Sequence, residues 1–174
     1  EVGDLRKVEQ FELLEGVAES IRKINKSEYL CIVITNQPGL AKGFYSFNTL
    51  AQIHNKMDSL LGRNGAFIDG LYYCPHHPEQ GFPGEVPELK IECECRKPKP
   101  LLFFNAERDF NIDLAKSYFI GDRYIDVQAG KNAGTKTILV KTGFAGSDRN
   151  SSSPQPDHYF DSLSEAVDFI MEGK

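Results

Sequence analysis

Short apolar runs ending in a polar residue or glycine alternate with stretches of helical periodicity, and this alternation limits the fold more than any other feature of the 174 residues. Residues 29–34, Tyr29-Leu30-Cys31-Ile32-Val33-Ile34, form a run too short for a helix and typical of a buried strand, which stops at Thr35-Asn36-Gln37-Pro38-Gly39. Before it, residues 11–26 repeat Leu13, Leu14, Val17, Ile21 and Ile24 at helical spacing. After it, Ser46 can cap a second helix with Leu50, Ile53, Met57, Leu60 and Leu61 on one face, stopped by Gly62 and Gly65. Residues 68–73, 117–120 and 137–140 read as further strands, residues 100–110 and 126–133 as helices, and residues 143–156 as a polar loop. Ser162 and Glu165 form a capping box for a last helix. The pattern predicts one α/β domain over residues 1–174, doubly wound around a mainly parallel sheet. Ligands in such folds gather beyond the carboxyl ends of the strands, where Thr35-Asn36 and Asp122 both fall.

With 40% hydrophobic residues the chain can bury such a core, and its net charge of −5 offers no overall positive field to nucleic acid or an anionic membrane. No apolar run nears the roughly 20 residues that span a bilayer, and no basic segment followed by a hydrophobic one opens the sequence. A cytoplasmic protein with a small-molecule ligand is expected, without nucleic-acid or membrane partners and with a monomer as the default state.

Residues 74–100 are rich in proline and carry Cys74, Cys93 and Cys95 beside His76 and His77, while Cys31 stands apart. This stretch is too irregular for a regular element and long for a bare connection. Cys74-Pro75-His76 and Cys93-Glu94-Cys95 offer three thiolates and an imidazole, the ligand set of a closed tetrahedral zinc site. A structural zinc on Cys74, His76, Cys93 and Cys95 would order residues 74–95, a segment with little core of its own. Ordinary thiols are the alternative, and His77 competes with His76 for the fourth position.

Two further clusters suit a phosphoryl group and a hard cation. Thr35 supplies a hydroxyl and Asn36 a backbone N–H at a strand end, although a plain turn has the same composition. Arg96, Lys97 and Lys99 stand at a helix entrance, where outward N–H groups favour anions. Arginine can grip a phosphate bidentately while lysine neutralises the transferring group, and a solvated basic patch is the competing reading. Asp122, at a strand tip, suits magnesium, which takes a carboxylate or two with water and phosphate. Asp126 is either a second ligand or a helix cap.

In this order, Val33-Ile34-Thr35-Asn36-Gln37, Cys95-Arg96-Lys97-Pro98 and Ile120-Gly121-Asp122 resemble motifs two, three and four of the haloacid dehalogenase-like phosphatases. Tyr73-Cys74-Pro75-His76-His77-Pro78, Cys93-x-Cys95 and Asn36-Gln37-x-Gly39-x-Ala41-x-Gly43 narrow the resemblance to the D-glycero-D-manno-heptose 1,7-bisphosphate phosphatases, from Gly3 to Gly143. It implies a haloacid dehalogenase-like Rossmannoid fold and Mg2+-dependent hydrolysis of the 7-phosphate of that sugar bisphosphate, supplying activated heptose for surface polysaccharide. By the same resemblance Thr35 would bind the transferring phosphoryl group, Lys97 would neutralise it and Asp122 would bind Mg2+. Arg96 and Arg123 would contact the sugar bisphosphate, with Asn36 and Gln37 lining the same edge. The family usually has lysine at the position of Arg123, so the charge is kept and the geometry changes.

The family's Asp-x-Asp-Gly motif, which supplies the nucleophile and the general acid and base, does not occur in the 174 residues. Glu1-Val2-Gly3 resembles the segment just after that motif, and Asp4 is no substitute nucleophile. The sequence is therefore expected to start downstream of the central strand, and these residues alone to bind phosphate weakly without turnover. Histidinol-phosphate phosphatases, which share the metal loop, are the competing enzyme, and a zinc-stabilised phosphate-binding module is the competing non-enzyme.

Overall fold

The computed structural model describes residues 5–173, so Glu1-Val2-Gly3 and Asp4 lie outside the described residues. The chain forms two compact units, Glu1–Cys93 and Glu94–Lys174.

The first unit contains α1 (Val17–Asn25), β1 (Ile32–Asn36), α2 (Phe47–Arg63) and β2 (Gly70–Cys74). β1 and β2 pair in parallel from Ile32 beside Gly70 to Asn36 beside Cys74. Ile21 of α1 and Leu61 of α2 are buried with Ala66, and Leu13, Val17, Cys31, Met57 and Ile68 pack around them. α1 starts at Val17, later than the apolar spacing predicts, because Gly16 before it is left-handed (φ 77°). Leu13 still reaches the core, so the spacing reports burial over a longer stretch than it reports helix.

β1 likewise begins at Ile32, not at Tyr29, and Tyr29 and Leu30 remain exposed. The strand is pinned at its start by Asp69, whose carboxylate accepts from Cys31 N (2.7 Å) and whose own N–H donates to Cys31 O (2.8 Å). Burial, with a smaller contribution from the Asp69 charge, pushes the Cys31 thiol up to about 11. Ser46 caps α2 as expected, its Oγ accepting from Thr49 N at 3.1 Å. The helix runs through Gly62, and only Gly65 (φ 68°) acts as the stop.

The second unit contains α3 (Leu101–Phe110), β3 (Tyr118–Gly121), α4 (Tyr124–Ala133), β4 (Lys136–Val140), β5 (His158–Phe160) and α5 (Leu163–Met171). Its strands run parallel in the order β3-β4-β5. Successive β4 side chains alternate between faces. Ile138 and Val140 pack on Ala166 and Ile170 of α5, while Leu139 packs on Tyr124 and Val127 of α4. Helices thus cover both faces of an all-parallel sheet, the doubly wound arrangement the alternation predicts. α3 begins directly after Pro100, and Gly134 (φ 84°) closes α4. No helix among the described residues is long and apolar enough to cross a membrane.

Asp157 ties the chain before β5 to β4 and α4. Its carboxylate accepts from Thr137 N (2.8 Å), Thr137 Oγ1 (2.7 Å) and Lys131 Nζ (2.9 Å). The Lys131 bond, then those from Thr137, hold its carboxyl at about 2, below the usual 3.8. A depressed carboxyl stabilises the fold above its unfolded value and loses that contribution as pH falls through the folded one. Asp157→Asn is accordingly expected to melt lower at pH 7, with the gap to the parent closing between about pH 4 and pH 2, as followed by thermal denaturation across that range.

Candidate active site and metal cluster

In the first unit the ends of β1 and β2 carry Thr35, Asn36 and Cys74 side by side, and Gln37 N donates to Cys74 O at 2.8 Å. Gln37 Nε2 donates to Thr35 Oγ1 at 3.4 Å, and Tyr45 Oη donates to Gln37 Oε1 at 2.6 Å. Tyr45 can lie there only because residue 39 is glycine, since a Cβ at that position would fall 2.2 Å from the tyrosine ring. Gly43 is left-handed (φ 71°), and a Cβ there would meet Gly84 O at 1.8 Å. The turn after β1 is therefore pressed backbone to backbone against the proline-rich insertion, and Val86 N donates to Ala41 O at 3.0 Å.

The candidate ligand atoms of Cys74, His76, Cys93 and Cys95 all lie within 4.8 Å of one another, a set that could hold a metal ion. Cys74 Sγ is 3.6 Å from Cys93 Sγ and 3.8 Å from His76 Nδ1. Cys74 is fully buried at the end of β2, so one ligand is set by the sheet itself. His77 points elsewhere: it is buried edge-on against Phe82 with ring centroids 5.8 Å apart, and its Nε2 lies 3.9 Å from Glu79. The insertion also has more core than its composition predicts. Phe82 packs perpendicular to Phe44 (6.1 Å), with the ammonium groups of Lys42 and Lys90 4.9 and 4.7 Å from its ring. Glu85 accepts from Phe82 N and Gly81 N and faces Lys90, and these contacts, Phe82 foremost, hold its carboxyl below the usual range.

In the second unit Lys97 Nζ sits 2.7 Å from Asp126 Oδ1, with 11% and 8% of the two side chains exposed, and 5.3 Å from the Phe119 ring. Asp126 Oδ2 accepts from Arg123 N at 3.2 Å. Asp126 therefore lies on the first turn of α4, where it both caps the helix and neutralises Lys97. Gly121 makes this approach possible, since a Cβ there would stand 2.3 Å from Asp126 Cβ. Lys99 reaches outward to Glu94 at 3.1 Å, and Arg96 O accepts from Lys99 N at 2.9 Å.

Asp122, at the tip of β3, is held by the loop beyond β4. Its Oδ2 accepts from Phe144 N and its backbone oxygen accepts from Gly146 N, both at 2.7 Å. The other carboxylate oxygen, Oδ1, makes no hydrogen bond to a described residue and so could ligate a cation. Gly143 is left-handed (φ 72°), and a Cβ there would fall 2.1 Å from Asp122 Oδ2. Gly143→Ala combines that clash with left-handed strain and is expected to cost about 1–3 kcal/mol in chemical denaturation.

The Arg123 guanidinium stands 4.5 Å over the Phe144 ring, with Nε 3.5 Å from Asp148 Oδ2. Asp148, Phe144 and Gly143 were not legible as site residues, because a loop without periodicity gives only a turn signal.

These parallel strands, with carboxylates and a buried lysine at their carboxyl ends, define a haloacid dehalogenase-like domain, and the HAD-hydrolase-like family model matches residues 94–166. The D-glycero-beta-D-manno-heptose-1,7-bisphosphate 7-phosphatase of Haemophilus ducreyi is 40% identical over 146 residues, 82% of this chain and 77% of the relative. The Vibrio cholerae protein of the same name is 42% identical over 134 residues, covering 76% and 70%. Among solved structures, a D,D-heptose 1,7-bisphosphate phosphatase from B. bronchiseptica complexed with magnesium and phosphate is 27% identical, with a TM-score of 0.83 over 97% of this chain and 89% of that one. The chain belongs to the D-glycero-beta-D-manno-heptose-1,7-bisphosphate 7-phosphatase family.

Proposed function

We propose that residues 1–174 form one phosphatase domain with a zinc-binding loop at residues 74–95, which, where an Asp-x-Asp-Gly segment supplies the nucleophile, removes the 7-phosphate of D-glycero-D-manno-heptose 1,7-bisphosphate in the cytoplasm. The kinship with the heptose bisphosphate phosphatases carries this reading. In it, Thr35 binds the transferring phosphoryl group through its hydroxyl, with Asn36 and Gln37 beside it on the substrate edge. Lys97 neutralises the developing charge. An ammonium has three donors, and Asp126 fixes the direction of one of them, so the group is oriented before substrate arrives. Arg96 and Arg123 bind the sugar bisphosphate.

Asp122 Oδ1 holds Mg2+, and the chemistry such an ion supplies is charge neutralisation on the phosphoryl oxygens. Zinc suits the other cluster. Bonds of about 2.3 Å from a tetrahedral zinc to its thiolates put the sulfurs roughly 3.8 Å apart. The 3.6 Å between the Cys74 and Cys93 sulfurs fits that edge.

The test is a hydrolysis screen of protein that includes an Asp-x-Asp-Gly segment, with heptose 1,7-bisphosphate and histidinol phosphate as substrates. A preference of tenfold or more in kcat/KM for the heptose is expected, about 1.4 kcal/mol of differential transition-state binding. Faster hydrolysis of histidinol phosphate would transfer the chain to that activity. The 174 residues alone are expected to bind phosphate weakly without turnover.

A further inference from the structure

We propose that Asp148 and Phe144 are positioning residues that present Arg123 as an end-on fork for a phosphate group of the substrate, a role that rests on the sugar-bisphosphate reading. A guanidinium can grip a phosphate along either of two edges, Nε with one Nη or the two Nη together. Arg123 Nε is buried without a hydrogen bond and faces Asp148 Oδ2 at 3.5 Å, so the first edge is turned into the protein, held by charge alone. The Phe144 ring, 4.5 Å away, covers one face of the plane. The paired Nη edge is what this side chain, 42% exposed, has left to offer. No other carboxylate among the described residues pairs with it.

Both positioning residues are themselves anchored. Asp148 Oδ1 accepts from Tyr124 N at 2.8 Å and Oδ2 from Ile125 N at 3.2 Å, the first two N–H groups of α4, and the side chain is only 19% exposed. Phe144 is held through its own N–H on Asp122 Oδ2. Residues 143–148 therefore set the orientation of Asp122 and of Arg123 from one short backbone segment. A lysine at 123 could be held by the same carboxylate but would present no planar pair of donors to a phosphate.

The test compares wild type, Asp148→Asn, Phe144→Leu, Arg123→Ala and the Asp148→Asn/Arg123→Ala double variant, all in protein that includes an Asp-x-Asp-Gly segment. Asparagine keeps an acceptor for Tyr124 N while removing the charge that faces Arg123. Asp148→Asn is expected to raise KM for heptose 1,7-bisphosphate about five- to tenfold with kcat within about twofold, Phe144→Leu to raise it less, and the double variant to match Arg123→Ala. In nuclear magnetic resonance spectra without substrate, the Arg123 Nε–H signal is expected to move to the position of a solvated arginine in Asp148→Asn. An unmoved Nε–H signal, or an equal KM rise from Asp148→Asn in the Arg123→Ala background, would overturn the assignment, since Asp148 would then only cap α4. Failure of the substrate reading looks different: wild type would prefer histidinol phosphate, while the Nε–H signal would still decide whether Asp148 orients Arg123.

Discussion

Lys97→Ala is expected to lower kcat on the sugar bisphosphate by about 100-fold or more, if its charge is the one that neutralises the transferring group in the transition state. Arg96→Ala is expected mainly to raise KM, the result for a contact made equally to bound substrate and transition state. The structure adds a second consequence for Lys97 alone. Its removal leaves the Asp126 carboxylate, only 8% exposed, without its counter-charge, and breaking one side of such a pair costs up to about 3–5 kcal/mol. The two effects separate in the Lys97→Ala/Asp126→Asn double variant, because a neutral amide at 126 needs no counter-charge. Melting temperature should recover in that protein while kcat stays low. Small and equal effects of Lys97→Ala and Arg96→Ala on turnover would leave Lys97 as a structural partner of Asp126 and Arg96 without a part in binding substrate.

If the cysteine cluster holds its zinc, chelation is expected to lower the melting temperature by about 10 °C, the shift for roughly 3–5 kcal/mol of ligand-linked stability lost from a domain of this size. Hydrogen exchange should place the loss in residues 74–95 and in the turn after β1. That turn is included because Gly43 abuts Gly84 and Ala41 O accepts from Val86 N. The individual ligands should not be equivalent. Cys74 is fully buried and in register with Asn36, so Cys74→Ser disturbs the end of the sheet, whereas Cys95→Ser weakens the cluster from a partly exposed position. Metal analysis showing no zinc in fresh protein, together with a Cys93→Ser variant as stable as its parent, would remove zinc from the account. The contacts of Phe82 with Phe44, Lys42 and Lys90 should leave part of the insertion folded even without metal.

The alternation of apolar runs and helical spacing is enough to place the α-helices, four of the five strands among the described residues and the strand-end motifs, because each of those signals is local in sequence. β5 escaped notice since His158-Tyr159-Phe160 is three residues long and its central side chain is exposed. Boundaries shifted where apolar residues serve a core without belonging to the element, as with Leu13 before α1, or stay exposed beside it, as with Leu30 before β1. The members of the Cys/His cluster are legible from type and spacing, and which histidine joins the three cysteines needs the third dimension. The Lys97–Asp126 pair, the Gly143 contact with Asp122 and the Asp148 contact with Arg123 join residues 20 or more positions apart, which no periodicity reports.

The environment of Cys31 turns the protein into its own metal gauge. Alkylating reagents attack thiolates, and a thiol with a pKa of about 11 is ionised in roughly one molecule in ten thousand at pH 7. Cys31 is thus nearly silent to such reagents while the fold is intact. The other three cysteines are the ones that form the cluster, and a bound metal shields their sulfurs. Alkylation of Cys93 and Cys95 in native protein, followed by mass spectrometry, therefore reads cluster occupancy, while the buried Cys74 and the un-ionised Cys31 become labelled only when the fold itself opens.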